Sequence, residues 1–152
     1  MNALRKSFLL LVCFCLLLSV GCATMGGATG DIGRRGVTNA VDRLASAYAG
    51  GNPDVFMSLV SVRYAGIYGE LEKRVIKDIA DTPGVVYLME TDGVSMNDTG
   101  RYEAEVTWER NIITDTGPVA NGSGTAVLVF DLFDSVLKLT DQRGDPPFPP
   151  EF

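Results

Sequence analysis

The side chains best suited to chemistry are an arginine and several aromatic residues within apolar segments. Arg110 follows Trp108 by two residues in a segment where apolar and polar residues alternate, so both should face the apolar side of a β-strand. A guanidinium in an apolar cleft can bind a carboxylate or phosphate through two hydrogen bonds. The alternatives are a structural ion pair with an internal acid, such as Glu90 or Asp131, or a place at a pocket rim.

Tyrosine hydroxyls are a second source of chemistry, because they can donate hydrogen bonds to an oxygen of a bound molecule. Aromatic residues of this kind more often simply fill a hydrophobic core. If the domain encloses a pocket, we expect it to be lined by Tyr48, Tyr64, Tyr87, Trp108, Arg110 and Phe130.

Several kinds of site are excluded or disfavoured. The sequence has no histidine, which excludes Ser-His-Asp and Cys-His catalysis and metals held by histidine. Glu103, Glu105 and Glu109 should share a solvated or dimer-forming sheet face, without the enclosure that raises the pKa of a catalytic acid. Turn chemistry explains the Asp and Asn residues near position 97 better than calcium binding does. We expect no catalytic set, metal or cofactor.

The charge balance argues against nucleic-acid binding. The chain has 152 residues with 13 basic and 19 acidic side chains, and 46% of its residues are hydrophobic. Removal of Arg5 and Lys6 with an N-terminal signal would leave 11 basic residues and a net charge of −8. A nucleic-acid-binding domain has the opposite sign. The composition is that of one globular domain.

The N-terminus predicts export. Basic residues at positions 5 and 6 precede an apolar run, Phe8–Leu18, which is too short to span a bilayer and fits a signal peptide over residues 1–21. The sequence Ser19-Val20-Gly21-Cys22 resembles the lipobox of bacterial lipoproteins, although the commonest lipobox has Leu where Ser19 stands. This resemblance implies lipidation of Cys22 and an N-terminal membrane anchor. By resemblance to the sorting rules of enterobacterial lipoproteins, Ala23 after the cysteine favours the outer membrane, facing the periplasm.

The remainder divides into a tether, a domain and a short tail. Residues 22–36 are glycine-rich, which predicts a flexible tether after the lipidated cysteine. Residues 37–148 should form the domain, and 149–152 a C-terminal tail. Buried Phe148 would plug the domain.

The domain pattern predicts helices first and strands afterwards. A helix should begin at Val37 and end at Gly50-Gly51, a second should begin with Asn52 as N-cap, and a third should cover about 70–81, with Ile76 among its inward residues. Residues 114–124 read as a loop. The expected strands are Val85–Met96, Arg101–Ile113, Thr125–Phe133 and Val136–Asp141. This order indicates an α+β fold with N-terminal helices packed on a curved antiparallel sheet.

The order of elements and several short motifs resemble the nuclear transport factor 2-like (NTF2-like) superfamily, a cone-shaped α+β fold. The resemblance spans Val37 to Phe148 and departs at Leu137, where members often carry tryptophan. It rests on the helix end Leu44–Asn52, the strand Val106–Arg110 before Thr116-Gly117, the segment Gly124–Phe130, Leu137–Leu139 and the ending Gly144–Phe148.

Three functions remain open at this point, because the superfamily includes enzymes, binding modules and adaptors. The leading expectation is a non-enzymatic, lipid-anchored envelope protein that binds a small apolar or amphipathic molecule or an envelope protein. The second is an isomerase- or dehydratase-like enzyme. Ketosteroid isomerase, a member of the superfamily, combines tyrosine with carboxylic acids, and Asp131 or Glu90 would be the base here. The third is a structural homodimer.

Overall fold

The structure is a computed structural model that describes residues 28–82 and 84–149. The predicted signal peptide, Cys22 and the lipobox lie outside the described residues, as do residues 150–152. Within these residues, three helices come first: α1 (Ala28–Ala49), α2 (Pro53–Ser58) and α3 (Tyr68–Asp81). Four strands follow: β1 (Val85–Met96), β2 (Tyr102–Thr114), β3 (Gly117–Phe133) and β4 (Val136–Gly144). No helix in the described part is long and apolar enough to cross a membrane.

Helix α1 begins at Ala28 instead of Val37. The predicted flexible tether over 22–36 is therefore wrong for 28–36, and its first residues lie outside the described part. The sequence predicts flexibility from these glycines, but Gly33 lies where α1 packs closely on the sheet, and Gly36 lies beside the sheet at an ordinary contact distance. A Cβ at Gly33 would lie 3.2 Å from the Tyr102 ring, and one at Gly36 would lie 3.7 Å from the side chain of Leu137.

The helices bury most of the apolar residues that their sequence periodicity indicates. In α1, Val37, Val41 and Leu44 are buried, as the apolar stripe predicts. The Asn52 side chain caps α2 by accepting a hydrogen bond from the Val55 backbone N–H at 3.1 Å. In α3, however, Ile76 is 47% exposed, so its predicted inward position is wrong.

The strands form one antiparallel sheet in the order β1-β2-β3-β4. Residues 117–124, predicted as part of a loop, instead form the first half of β3 and pair with β2. Glycine, proline and threonine weaken the strand pattern of this segment, but backbone pairing in a long hairpin does not require an apolar side-chain pattern. A further segment lies beside β4, where the Ser61 N–H donates to the Leu139 carbonyl at 2.8 Å.

The helices and the inner sheet face share one core, as the α+β prediction requires. On β2, Ala104, Val106 and Trp108 are buried while Glu105 and Thr107 are exposed, which confirms the predicted alternation. The opposite side of the sheet, which carries Glu90, Glu103, Glu105, Thr107 and Glu109, is called the outer sheet face below.

Candidate functional site

Arg110 forms an ion pair inside the domain. Its side chain is 1% exposed, and Nη2 lies 2.9 Å from Oδ2 and 3.1 Å from Oδ1 of Asp78 on α3. The suggested partners were therefore wrong. Glu90 is exposed on the outer sheet face, and the Asp131 carboxylate accepts a hydrogen bond from the backbone N–H of Leu132. A buried guanidinium needs a counter-charge, and Asp78 supplies it.

Two tyrosines complete this cluster. The Tyr48 hydroxyl donates to Asp78 Oδ2 at 2.7 Å, and the Tyr87 ring lies 6.0 Å from the Arg110 guanidinium. Burial raises the pKa of the Tyr48 hydroxyl far above its ordinary value, and the hydrogen bond to Asp78 raises this pKa further. Burial also raises the pKa of Tyr87. Both hydroxyls therefore stay protonated at neutral pH, so they can donate hydrogen bonds but cannot act as bases.

The chain segment Asp145–Phe148, called the C-terminal segment below, is held against this cluster by side chains from several strands. Trp108 Nε1 donates to the Asp145 carbonyl at 2.8 Å, and the Tyr87 hydroxyl donates to the Pro147 carbonyl at 2.9 Å. Gln142 Nε2 donates to the Phe148 carbonyl at 2.8 Å. Hydrogen bonds from β1, β2 and β4 therefore fix this segment in place.

Phe148 fills the interior of the domain, as the sequence predicts. Its side chain is 0% exposed. The ring centroid lies 5.2 Å from Tyr48, 5.2 Å from Phe56 and 5.6 Å from Tyr87. Edge-to-face and tilted contacts at these distances are favourable for aromatic rings. These four rings, together with the C-terminal segment, occupy the space between the helices and the inner sheet face.

Three residues of this arrangement were missed by the sequence analysis: Asp78, Gln142 and Gly124. Asp78 lies three residues after Val75 and seven after Leu71, on the same helix face, and this spacing could have revealed it. Gly124 pairs with Trp108, and a Cβ there would lie 2.6 Å from the Asp145 Cβ. Only glycine leaves room for the C-terminal segment at that point. Nothing in the sequence marks Gln142.

The predicted pocket residues are spread over several environments. Tyr48, Tyr87 and Arg110 come together around Asp78, whereas Phe130 is 1% exposed in the core. The Tyr64 hydroxyl accepts a hydrogen bond from Gln142 Nε2 at 3.0 Å. A small cavity of about 30 Å³ lies beside Asp78. It has room for water, but a small-molecule site usually needs roughly 300 Å³ or more.

Larger concave regions lie on the surface. One shallow hollow of about 380 Å³ on the outer sheet face is lined by residues that include Asp92, Glu105 and Val127. A second of the same volume is lined by residues that include Leu88, Glu90 and Glu109. Hydrogen bonds from Asn97 and Arg143 lower the pKa of Glu103 on this face. Within the described residues, no group of three acidic or cysteine side chains has the geometry to hold a metal ion.

Solved structures show where this architecture recurs. A protein named as a dehydratase of the NTF2-like family from Streptomyces avermitilis is 16% identical, with a TM-score of 0.63 over 74% of this chain and 94% of that chain. A protein named as the β subunit of an aromatic-ring-hydroxylating dioxygenase from Novosphingobium aromaticivorans is 12% identical, with a TM-score of 0.64 over 76% of this chain and 90% of that chain. An NTF2-like protein of unknown function from Shewanella oneidensis is 11% identical, with a TM-score of 0.56 over 72% and 95%.

These similarities establish the class of protein at the level of fold. The domain has the NTF2-like fold, as the resemblance in its sequence implied. No protein-family model matches the sequence, and no curated protein matches it either. Because the identities are low, the activities named for these neighbours describe those proteins alone.

Proposed function

We propose that this protein is a lipid-anchored component of the bacterial envelope whose NTF2-like domain is a non-enzymatic binding module for another envelope protein. The outer sheet face is the binding surface. The observation that carries this proposal is the filled interior, because Phe148 occupies the space where a small ligand or substrate would otherwise bind.

The chemistry inside the domain supports a structural role over a catalytic one. Asp78 already accepts hydrogen bonds from Arg110 and Tyr48, and the Tyr87 hydroxyl is engaged by a backbone carbonyl. A general base needs access to a substrate proton, and a binding arginine needs an available face. At the Asp78 cluster, both enzymatic catalysis and the capture of a small apolar molecule would require the C-terminal segment to leave.

The charge of the outer sheet face supports a basic protein partner over a second copy of this chain. Glu90, Asp92, Glu105 and Glu109 are exposed on or beside this face, and Arg143 is engaged by Glu103. Two such faces in contact would place like charges together, whereas a partner with lysine or arginine at its surface would complement them. The shallow hollows beside these carboxylates provide room for such side chains.

Native mass spectrometry of the full-length protein, extracted in detergent from bacterial membranes, tests the anchor and the filled interior together. We expect an acyl mass that maps to Cys22 and no further retained small molecule. Cys22→Ala should lose the acyl mass, and Cys13→Ala, within the predicted signal peptide, should keep it. A missing acyl mass would overturn the anchor, and a retained ligand that leaves only on unfolding would overturn the filled interior.

A further inference from the structure

One end of the sheet contacts the N-terminal part of helix α1, which follows the predicted anchor in the sequence. At this end, called the hairpin end, the β1–β2 turn and the β3–β4 turn lie side by side, because the strands are antiparallel. The packing of Gly33 beside Tyr102 and of Gly36 beside Leu137 brings α1 to the same end. Cys22 precedes Gly33 by eleven residues, which span about 40 Å at most.

The hairpin end exposes large apolar side chains. Met96 is 58% exposed at the end of β1, Leu132 is 56% exposed near the end of β3, and Val136 is 40% exposed at the start of β4. Aliphatic side chains at the edge of an anchored domain can enter the interface between lipid head groups and acyl chains.

Basic side chains surround these apolar residues. Arg34 in the first turns of α1 and Arg101 at the β1–β2 turn are exposed. Arg63 is also exposed, and its guanidinium lies 5.9 Å from the ring of Phe133 at the end of β3. Two exposed acids, Asp98 and Asp134, lie in the two turns, and the half-buried Asp131 lies beside them on β3, so three exposed arginines stand against two exposed carboxylates among the described residues of this end. The outer sheet face has the opposite balance.

The opposite end of the sheet provides an internal comparison. Val119 and Ile113 are each 52% exposed there, so apolar exposure by itself does not distinguish the two ends. The β2–β3 turn at that end carries Asp115 and no basic residue. Of the two ends, the hairpin end combines apolar exposure and exposed arginines with contacts to Gly33 and Gly36 in the N-terminal part of α1.

We infer that the hairpin end rests on the membrane, with the arginines bound to anionic head groups and Met96, Leu132 and Val136 in the lipid interface. This inference rests on the proposed lipid anchor. The anchor holds the domain near a bilayer, and the hairpin end then determines which way the domain faces. The acidic outer sheet face then stands roughly perpendicular to the bilayer and remains available to a partner.

Depth-dependent fluorescence quenching tests the orientation in the full-length, acylated protein. Because acylation occupies Cys22, an introduced cysteine would be the mature chain's free thiol. Leu132→Cys is labelled with a polarity-sensitive fluorophore, and Val119→Cys, on the same strand with similar exposure, is the matched control. Both are placed in phosphatidylethanolamine vesicles, with and without phosphatidylglycerol, that carry a nitroxide-labelled lipid. Near-ultraviolet circular dichroism from Trp108 verifies that each variant is folded.

We expect the nitroxide lipid to quench the label at position 132 several-fold more than the label at position 119. Arg63→Glu and Arg101→Glu should each weaken the docking of the hairpin end about fivefold in vesicles that contain phosphatidylglycerol. The loss of quenching at position 132 measures this weakening. Equal quenching at both positions, in protein that floats with the vesicles, overturns the orientation alone. Quenching that is unaffected by both arginine substitutions overturns the role of head groups. Protein that does not float overturns the anchor, and with it this orientation.

Discussion

Arg110 and Asp78 are 32 residues apart in the sequence, yet Arg110 Nη2 lies 2.9 Å from Asp78 Oδ2. The pair joins the central strand β2 to helix α3, and the Tyr48 hydroxyl from α1 binds the same carboxylate at 2.7 Å. One carboxylate therefore connects three elements around the C-terminal segment. Its role is to neutralise a guanidinium that the fold has removed from water.

The first prediction concerns the loss of this carboxylate. Asp78→Ala should lower the free energy of unfolding by about 3–5 kcal/mol, because it leaves Arg110 buried without a counter-charge. Urea denaturation followed by circular dichroism measures this change. Glu70→Ala is the matched control on the same helix. It removes an exposed pair with Lys73 and should leave the free energy of unfolding nearly unchanged, because solvent screens an exposed ion pair.

A double variant separates the charge effect from packing. Asp78→Leu combined with Arg110→Met should be more stable than either single variant, because no buried charge remains unpaired. If the double variant loses as much unfolding free energy as the two single variants together, the ion pair is not the reason for the lost stability.

The second prediction concerns the filled interior. Phe148→Ala should destabilise the domain by about 3–5 kcal/mol and leave an apolar cavity among Tyr48, Phe56 and Tyr87. Small aromatic molecules such as benzene should then raise the melting temperature of the variant and leave the wild-type value unchanged. Thermal unfolding with and without benzene measures this difference. A matching rise in the wild-type protein would mean that its interior is already accessible.

The third prediction follows from the two buried hydroxyls. Burial raises the folded-state pKa of Tyr48 and of Tyr87 above the ordinary value near 10. Their contribution to stability is therefore complete below pH 10 and is lost as the pH rises, because the unfolded chain releases these protons first. The free energy of unfolding should fall by about 1.4 kcal/mol per pH unit for each tyrosine above pH 10. In the double variant Tyr48→Phe/Tyr87→Phe, the free energy of unfolding should depend less steeply on pH over that range. An unchanged slope would contradict the assignment of this pH dependence to the two tyrosines.

The sequence predicted the elements well and the tertiary partners poorly. Hydrophobic periodicity is a local property, so it placed the core face of α1 and the inward positions of Trp108 and Arg110 correctly. The partner of Arg110 depends on how α3 crosses the sheet, which no local pattern contains. Asp78 was therefore missed, and two acids on the sheet were suggested in its place.

The predictions for two glycine-rich segments were wrong for the same reason. The glycines at positions 33 and 36 read as a flexible tether, and those at 117, 122 and 124 read as a loop. In the structure they lie in α1 and in β3, and Gly33 and Gly124 face Tyr102 and Asp145 at short range. A missing side chain permits flexibility and also permits close packing, and the sequence alone cannot distinguish the two.

The fourth prediction tests the side of the sheet on which Trp108 lies. Its side chain is 3% exposed and donates to the Asp145 carbonyl. Trp108→Ala should cost about 3–5 kcal/mol of unfolding free energy, whereas Thr107→Ala, on the outer sheet face, should cost less than about 1 kcal/mol. Chemical denaturation of both variants measures the two costs. A small loss at position 108 would place the tryptophan at the surface.

The last prediction concerns the partner. A photo-crosslinking amino acid at position 107, in the middle of the outer sheet face, should capture another envelope protein in living cells, and the captured surface should be rich in lysine or arginine. Glu105→Lys with Glu109→Lys should abolish this adduct, because the reversed charges repel a basic partner. Glu72→Lys, an exposed acid on α3, is the matched control and should leave the adduct intact. An adduct of twice the chain mass would instead identify a homodimer, and an adduct that survives the double reversal would show that the carboxylates do not select the partner.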